Sequence, residues 1–387
     1  MTTQKTVAIL FGGRSSEHEI SLRSAVYILK NTPEKYAIIP IGIAKDSSLH
    51  SLTGVFTKHD FQDITTEHLS HIVAGHVPPQ FKNSENKFST FLPQHAQTTS
   101  SRPCPSFRIL NHEVDCVFPV LHGSNGEDGR FQGLFELAGI PCVGCDIRAS
   151  VVGIDKDIQK RLARDAGIPV AKYDVVFFEE FQENPRQVMD GVEEKIGYPC
   201  FVKPNSSGSA VGTNKVKNRL ELDVALKTAG AFDTKILVEE LLVGTEVECA
   251  FLGTPTKPRV TCAGEIAPKE FYSYEEKYSA NSEASLFIPA RLNEKRMAEL
   301  KNLAIKVAKT MGIEGFSRID FWNIPKTEDF VFNEYNTIPG LTSISMFPKL
   351  WEQENILGSY WIEELVEGAL KRQKLFNQMQ FGVKALI

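Results

Sequence analysis

Two runs of alternating character, Phe316 to Ile324 and Phe330 to Asn336, flank the polar break Pro325-Lys-Thr-Glu-Asp329. Alternation at a period of two marks a half-buried strand, and a Pro-led polar break is turn chemistry. The spacing predicts one β-hairpin. Arg318, Asp320 and Trp322 share a face of its first strand, and Phe332, Glu334 and Asn336 share a face of its second. Folding about Thr327 sets Asp320 opposite Glu334 and Arg318 opposite Asn336, unless a bulge shifts the register. Carboxylates directly across a sheet repel each other, which a purely structural hairpin avoids. A solvated polar face on an edge hairpin is the plain alternative. Here the face is flanked by Phe and Trp and runs into Ile338-Pro-Gly340, so Asp, Glu and Asn oxygens suited to Mg²⁺ with phosphate are the reading adopted.

A chain of 387 residues exceeds one ordinary core, and two or three domains are expected. Lys plus Arg number 43 against 48 for Asp plus Glu, a net charge of −5. That balance offers no basic surface to nucleic acid or to an anionic membrane. Seven cysteines lack framework spacing, and Cys142 and Cys145 form a CxxC with no second pair. Reduced thiols in a cytosolic protein follow, and zinc does not. Val7 to Phe11 is no signal peptide, and no apolar stretch nears the ~18 residues of a membrane span. The expected location is the cytoplasm.

Thr6 to Phe11 reads as a buried strand broken at Gly12-Gly13, with helical spacing from about Ser16 and a second strand from Tyr36 to Ile43. This βαβ order makes the helix N-terminus an anion or small-ligand site. Ser16 and Glu19 have capping-box spacing, which leaves Glu17 for a ligand. Residues 50–106 turn polar and hold six of the nine histidines without acid or cysteine partners at metal spacing. A peripheral surface insertion is the expectation there. Asp115 to Leu121 is a strand that delivers His122-Gly-Ser-Asn-Gly-Glu-Asp-Gly129 at its carboxyl end, where open α/β sheets bind ligands. Lys203 ends another strand before Asn205-Ser-Ser-Gly-Ser-Ala-Val-Gly212. That loop is either a flexible connection or a backbone cradle for an anion with Lys203 as point charge, and these residues alone leave both open. Leu241, Leu242 and Glu246 suit a nucleotide's adenine and ribose contacts, a pattern that many interdomain connections share. Glu270 to Leu286, with Tyr272, Tyr274 and Tyr278, has no period and fits a loop that closes over a site.

Together these runs resemble the D-alanine–D-alanine ligases of the ATP-grasp superfamily, over nearly the whole chain. The runs are Leu10 to Ser21, His122 to Gly129, Lys203 with Gly208 to Gly212, Phe271 to Tyr278, Arg318-Ile-Asp320, and Asn333 to Ser345. The resemblance implies an α/β ATP-grasp fold. Residues 1–150 would form an N-terminal open parallel α/β substrate domain, with a peripheral insertion at about 50–110. Residues 151–242 would form the central lobe and 243–387 the C-terminal lobe with lid and metal site.

Site roles follow from the same resemblance. Lys156 and Lys203 would hold ATP phosphates, Glu239, Glu240, Leu241 and Leu242 the adenine, and Glu246 the ribose, with Phe271 and Trp322 also lining the nucleotide. Asp320, Glu334 and Asn336 would bind two Mg²⁺ ions, for which Mn²⁺ can substitute. Glu17 would pair with the ammonium of the first D-alanine beside His122, and Ser209 and Tyr278 would join Glu17 to lock the lid. Arg318 and the Gly340 N–H would stabilise an oxyanion. Lys277, Ser345 and the Met346 N–H would hold substrate, the last two the second carboxylate.

The implied reaction is ATP-dependent ligation of two D-alanines through an acylphosphate, for peptidoglycan precursors. D-alanine is then the partner, with no nucleic acid or membrane, and a homodimer is common among similar proteins. A D-alanine–D-lactate or other D-amino-acid ligase is the alternative within the fold, and a non-catalytic ATP-binding sensor the alternative outside that chemistry. Tyr278, Arg318 and the intact metal set argue against these.

Overall fold

In the computed structural model, which describes residues 4–52, 54, 56–78, 81, 88–91, 98–99, 106–109, 112–267 and 285–379, the strand Lys5–Gly12 runs parallel to Tyr36–Ile43 and to Cys116–Val120. All eight residues of Tyr36–Ile43 are buried, as a strand covered on both faces requires. The helix His18–Asn31 makes the crossover and buries Ile20, Leu22, Ala25, Ile28 and Leu29. Gly12 has φ +91°, and a Cβ there would lie 2.3 Å from the Ile43 carbonyl oxygen, so only glycine allows this break. The N-cap falls one residue later than the Ser16–Glu19 spacing predicts. Glu17 is the N-cap without a side-chain cap bond, and Glu19 faces Lys45 at the surface.

Leu49–Leu52 and Phe88–Phe91 extend this sheet antiparallel at its far edge. The segment read as peripheral therefore supplies core. Phe56, Phe61 and Phe81 pack ring on ring, and the helix Thr66–Val73 buries Leu69, Ile72 and Val73. Averaging composition over the segment hid these apolar residues, whose spacing within that helix is that of one buried face. Thr98–Thr99, Ser106–Ile109 and His112–Val114 form a separate small sheet, whose Val114 is buried in one core with Ala8 and Leu10 of the large one.

A second sheet, ordered Asn214–Val216, Cys200–Pro204, Lys235–Glu240 and Tyr173–Phe177, is antiparallel throughout. Its face bearing Cys200, Val202, Ile236 and Val238 packs with Leu222 and Leu226 of the helix Arg219–Gly230. Alternation then turns Phe201, Lys203, Leu237 and Glu239 to the opposite face.

The third sheet is ordered Ser285–Phe287, Lys257–Ala267, Thr245–Thr254, Gly315–Ile324 and Asp329–Asn336. Leu300, Ala304, Val307 and Ala308 of the helix Glu294–Met311 cover one face, against Val247, Cys249, Phe251, Ile319 and Phe321. The other face carries the polar row. The helices Met346–Gln353 and Gly358–Phe376 bring Phe347, Trp361, Ile362 and Val366 into one core with Val7, Ile9, Phe118 and Phe316, so the first and third sheets share an interior.

Within the hairpin, Asp320 lies opposite Glu334 and Arg318 opposite Asn336. The pairing beside the turn is different: Ile324 faces Asp329 and Phe321 faces Phe332. Asn333 is the extra residue, and this bulge shifts the strand so that Glu334 meets Asp320.

Candidate functional site

Period-two alternation stacks acids across three strands. Glu246 and Glu248 leave the strand Thr245–Thr254 on one face, with Trp322 opposite Glu246, Asp320 opposite Glu248, and Glu334 beyond Asp320. One oxygen from each of Glu246, Glu248 and Asp320 lies within 4.8 Å of the others. Glu248 went unread in the sequence, although its i+2 spacing from Glu246 in an apolar strand was the available signal.

Arg318 lies among these acids. Its Nε is 2.8 Å from Asp320 Oδ1 and 3.1 Å from Glu248 Oε2, and its second amino group donates to Asp320 Oδ2 at 2.7 Å. Burial opposes its charge, but Asp320 and Glu248 hold the guanidinium well above its ordinary range. Asn336 Nδ2 donates to Asp320 Oδ2 at 3.0 Å, and Lys156 Nζ lies 3.3 Å from Glu334. Four carboxylates here meet the cations Arg318 and Lys156. That surplus of hard oxygen donors, next to an amide, fits a divalent cation of the Mg²⁺ kind.

Lys156 opens the helix Lys156–Asp165, capped by Asp155, and donates to the Ser207 carbonyl at 2.8 Å. Lys203 pairs with Glu239 Oε2, and Lys160 lies 2.6 Å from Glu239 Oε1. Lys160 was not anticipated. It is the residue one helical turn after Lys156, which was the signal for it. Burial would raise the Glu239 carboxyl, but Lys160 and Lys203 outweigh burial and hold it at about 2. A carboxyl held below its ordinary 4.5 adds stability above that value and loses it as pH falls toward 2. Glu239→Gln will therefore flatten the acid loss of stability in this window by on the order of 3 kcal/mol in urea unfolding. Parallel pH profiles for the two proteins would overturn this.

The adjoining residues are placed differently from Glu239. The Glu240 carboxylate accepts from Lys172 N at 2.7 Å, and the N–H groups of Glu240 and Leu241 donate to the carbonyls of Lys172 and Pro199. Leu242 is half-exposed in the link between the second and third sheets, and Glu246 is half-exposed at the start of the strand Thr245–Thr254.

The loop 205–212 reaches the N-terminus of the helix His18–Asn31. Ser209 (φ +50°) and Ala210 (φ +56°) are consecutive left-handed residues, and Ser209 Oγ donates to Glu17 Oε1. Glu17 is buried, and Cβ atoms on Gly123 and Gly208 would lie 2.4 and 2.8 Å from its Oε2. Ser209 and Glu17 thus meet. Tyr278, Lys277 and Phe271 lie outside the described residues.

His122 is buried with both ring nitrogens engaged. Nδ1 is 2.8 Å from the Ile338 carbonyl and Nε2 is 2.7 Å from Ser24 Oγ, which also accepts from Leu341 N at 3.2 Å. A carbonyl only accepts, so Nδ1 carries the proton and Nε2 accepts from Ser24. Burial lowers the His122 pKa and favours this neutral ring. His122 therefore positions the 338–341 turn beside Gly340, and neither ring nitrogen is left for a substrate.

Glu127 stands among the glycines of the His122 loop with no sequence mark of its own. Its two oxygens accept from Gly123 N and Ile338 N, each at 2.8 Å. Burial, then the Glu17 carboxylate, raise its pKa to about 8. Ser345 accepts from Thr342 N at 3.2 Å and precedes the helix Met346–Gln353, whose Met346 is buried against Gly264. Gly264 is opposite Glu248, so this helix starts beside the acid row. Among the described residues the histidines of 50–106 gather into no metal group. His59 pairs with Glu34, and His68 closes the N-cap of its own helix.

The family model for the D-ala D-ala ligase N-terminus matches residues 6–145, and that for the D-ala D-ala ligase C-terminus matches residues 162–367. The chain belongs to the D-alanine–D-alanine ligase family. It is 41% identical over 381 residues to the D-alanine–D-alanine ligase of Acetivibrio thermocellus, covering 96% of this chain and 97% of that one. It is 41% identical over 371 residues to that of Clostridium acetobutylicum, covering 95% and 99%. Among solved structures, the D-alanine–D-alanine ligase from Coxiella burnetii is similar at 30% identity and a TM-score of 0.77, covering 97% of this chain and 96% of that one. The VanG D-Ala:D-Ser ligase from Enterococcus faecalis is 35% identical with a TM-score of 0.76, covering 95% and 100%. The chain is thus an ATP-dependent ligase of mixed α/β ATP-grasp architecture. Among the described residues of this D-alanine–D-alanine ligase family member, no helix is long and apolar enough to cross a membrane.

Proposed function

We propose that the chain joins two molecules of D-alanine to D-alanyl-D-alanine, converting ATP to ADP and phosphate, for peptidoglycan precursors in the cytoplasm. The observation that carries this reading is the meeting of Ser209 with the buried Glu17 beside a row of acids bridged by Arg318. A carboxylate is a poor acyl donor because oxide would have to leave. Its attack on the γ-phosphorus forms a C–O–P linkage, breaks the bond to the β-phosphate oxygen and releases ADP. The amine of a second D-alanine then attacks the acylphosphate carbonyl and expels phosphate.

In this reading Lys156 and Lys203 hold phosphates, while Glu239, the 240–242 segment, Glu246 and Trp322 line the rest of the nucleotide. Asp320, Glu334 and Asn336 hold Mg²⁺, with Glu246 and Glu248 close to Asp320. When bound, Mg²⁺ neutralises charge on the transferring phosphoryl group. Glu17 pairs with the first substrate's ammonium, and Glu127 and His122 hold the turns around it. Arg318 and the Gly340 N–H face the oxyanion of the second step. Ser345 and the Met346 N–H receive the second carboxylate. Residues 1–150, 151–242 and 243–387 serve as substrate domain, central lobe and C-terminal lobe.

Phosphate release from ATP with no amino acid, with D-alanine and with L-alanine tests the assignment. Release stimulated by D-alanine alone is expected. Equal rates in all three would remove the basis for it, and adding D-serine or D-lactate with D-alanine separates the alternative acceptors. Tyr278 favours an amine acceptor over a hydroxyl one. Tyr278→Phe will raise depsipeptide relative to dipeptide at pH 7, and identical product ratios by mass spectrometry would count against it.

A further inference from the structure

Lys160 takes no part in the reading above, yet it is only 1% exposed. Burying an ammonium opposes folding, and an apolar side chain of similar volume often packs at no loss of stability. Packing alone therefore does not account for a lysine. Its ammonium lies 2.6 Å from Glu239 Oε1 and 3.3 Å from the Asn333 carbonyl oxygen, to which it donates. The other Glu239 oxygen belongs to Lys203.

Asn333 is the bulged residue of the hairpin. Without that extra residue the pairing next to the turn would continue, Asp320 would face Asn333, and Glu334 would turn to the opposite face. The outer edge of this strand is held by the chain segment that carries Lys160. Phe332 N donates to the Pro169 carbonyl at 2.8 Å, and Tyr335 N donates to Gln159 Oε1 at 2.9 Å. Lys160 ties down the carbonyl between these two N–H groups.

We propose that Lys160 is a positioning residue that couples the nucleotide-holding pair Glu239–Lys203 to the bulge that sets Glu334 opposite Asp320. This rests on the nucleotide and Mg²⁺ reading given above. Glu239 reports the state of the phosphate-side lysine, and the Asn333 carbonyl reports the register of the metal-side acids. One buried cation bonded to both makes the two halves settle together.

Calorimetric titration of the full chain with ADP, with and without Mg²⁺, separates these contributions. The native protein gives the enhancement of ADP affinity by Mg²⁺. Glu239→Gln, which cuts the nucleotide end of the link, will weaken ADP binding in metal-free buffer and reduce that enhancement as well. Lys160→Met will weaken metal-free binding and also reduce the enhancement about 10- to 100-fold, the usual loss when a group orienting a metal ligand is removed. A Lys160→Met protein of lower Tm with native Mg²⁺ enhancement would overturn the proposal, because a merely structural role predicts that result. A native chain that binds no ADP at all would instead defeat the functional reading beneath it. Should Lys160→Met not fold, ¹⁵N-lysine labelling of the native chain gives the same decision. The Lys160 ammonium resonance should move on ADP and again on Mg²⁺, and a signal indifferent to Mg²⁺ would overturn the coupling.

Discussion

Arg318→Met will lower kcat about 10²- to 10³-fold, the loss expected when a donor to a developing oxyanion is removed. It will also destabilise the metal-free protein by about 3–5 kcal/mol, because removing one partner strands buried opposite charge. Asp320 is 1% exposed and Glu248 2%, and both lean on this guanidinium. A cation in the acid row replaces part of the lost charge, so Mg²⁺ will raise the Tm of Arg318→Met more than that of the native chain. Arg318→Lys keeps the charge but cannot present two parallel N–H bonds to Asp320. It will recover stability and leave kcat low. A kcat within tenfold of native for Arg318→Met, measured by steady-state phosphate release, would remove Arg318 from the chemistry.

Glu17→Gln will raise KM for the first D-alanine about 10²-fold or more, with a smaller change in kcat. Truncating one partner of a buried charge pair costs about 2–5 kcal/mol, much of it from the charge left unpaired. In the proposed function that charge is the substrate ammonium. The amide is isosteric, so Ser209 keeps an oxygen to donate to and the walls at Gly123 and Gly208 keep their shape. A second consequence concerns Glu127, whose raised pKa owes part of its shift to Glu17. Below its unfolded value near 4.5 a raised carboxyl contributes its full stability, which is lost as pH climbs toward about 8. Removing the Glu17 charge brings the folded value down, so this loss will end at a lower pH in Glu17→Gln. Native substrate saturation together with a native stability profile would show that Glu17 carries no charge in the site.

The hairpin and its polar face were legible because a strand exposes alternate residues whatever it packs against. Centring the hairpin on Thr327 pairs Asp320 with Glu334, and that pairing holds at the site through a bulge. The turn itself pairs Ile324 with Asp329, a different register that Asn333 corrects. No local pattern marks Asn333 as that residue. Its place depends on Pro169, Gln159 and Lys160, which arrive from another part of the chain. Glu127 had nothing in its neighbourhood to distinguish it from a surface acid, whereas the spacing of Glu248 from Glu246 in an apolar strand did mark that residue.

From its residue order alone the chain determined its strands, its glycine breaks at Gly12 and in the His122 loop, and the chemical kinds of group available to a nucleotide and a metal. Those properties follow from backbone sterics and side-chain period, which act over a few neighbouring residues. Only the tertiary structure decided that Glu17 meets Ser209, that Lys160 and Lys203 share Glu239, and that His122 braces the turn before Gly340. A buried charge is stabilised by whatever lies within a few ångströms through space, and that distance is set by how the sheets pack and not by position along the chain.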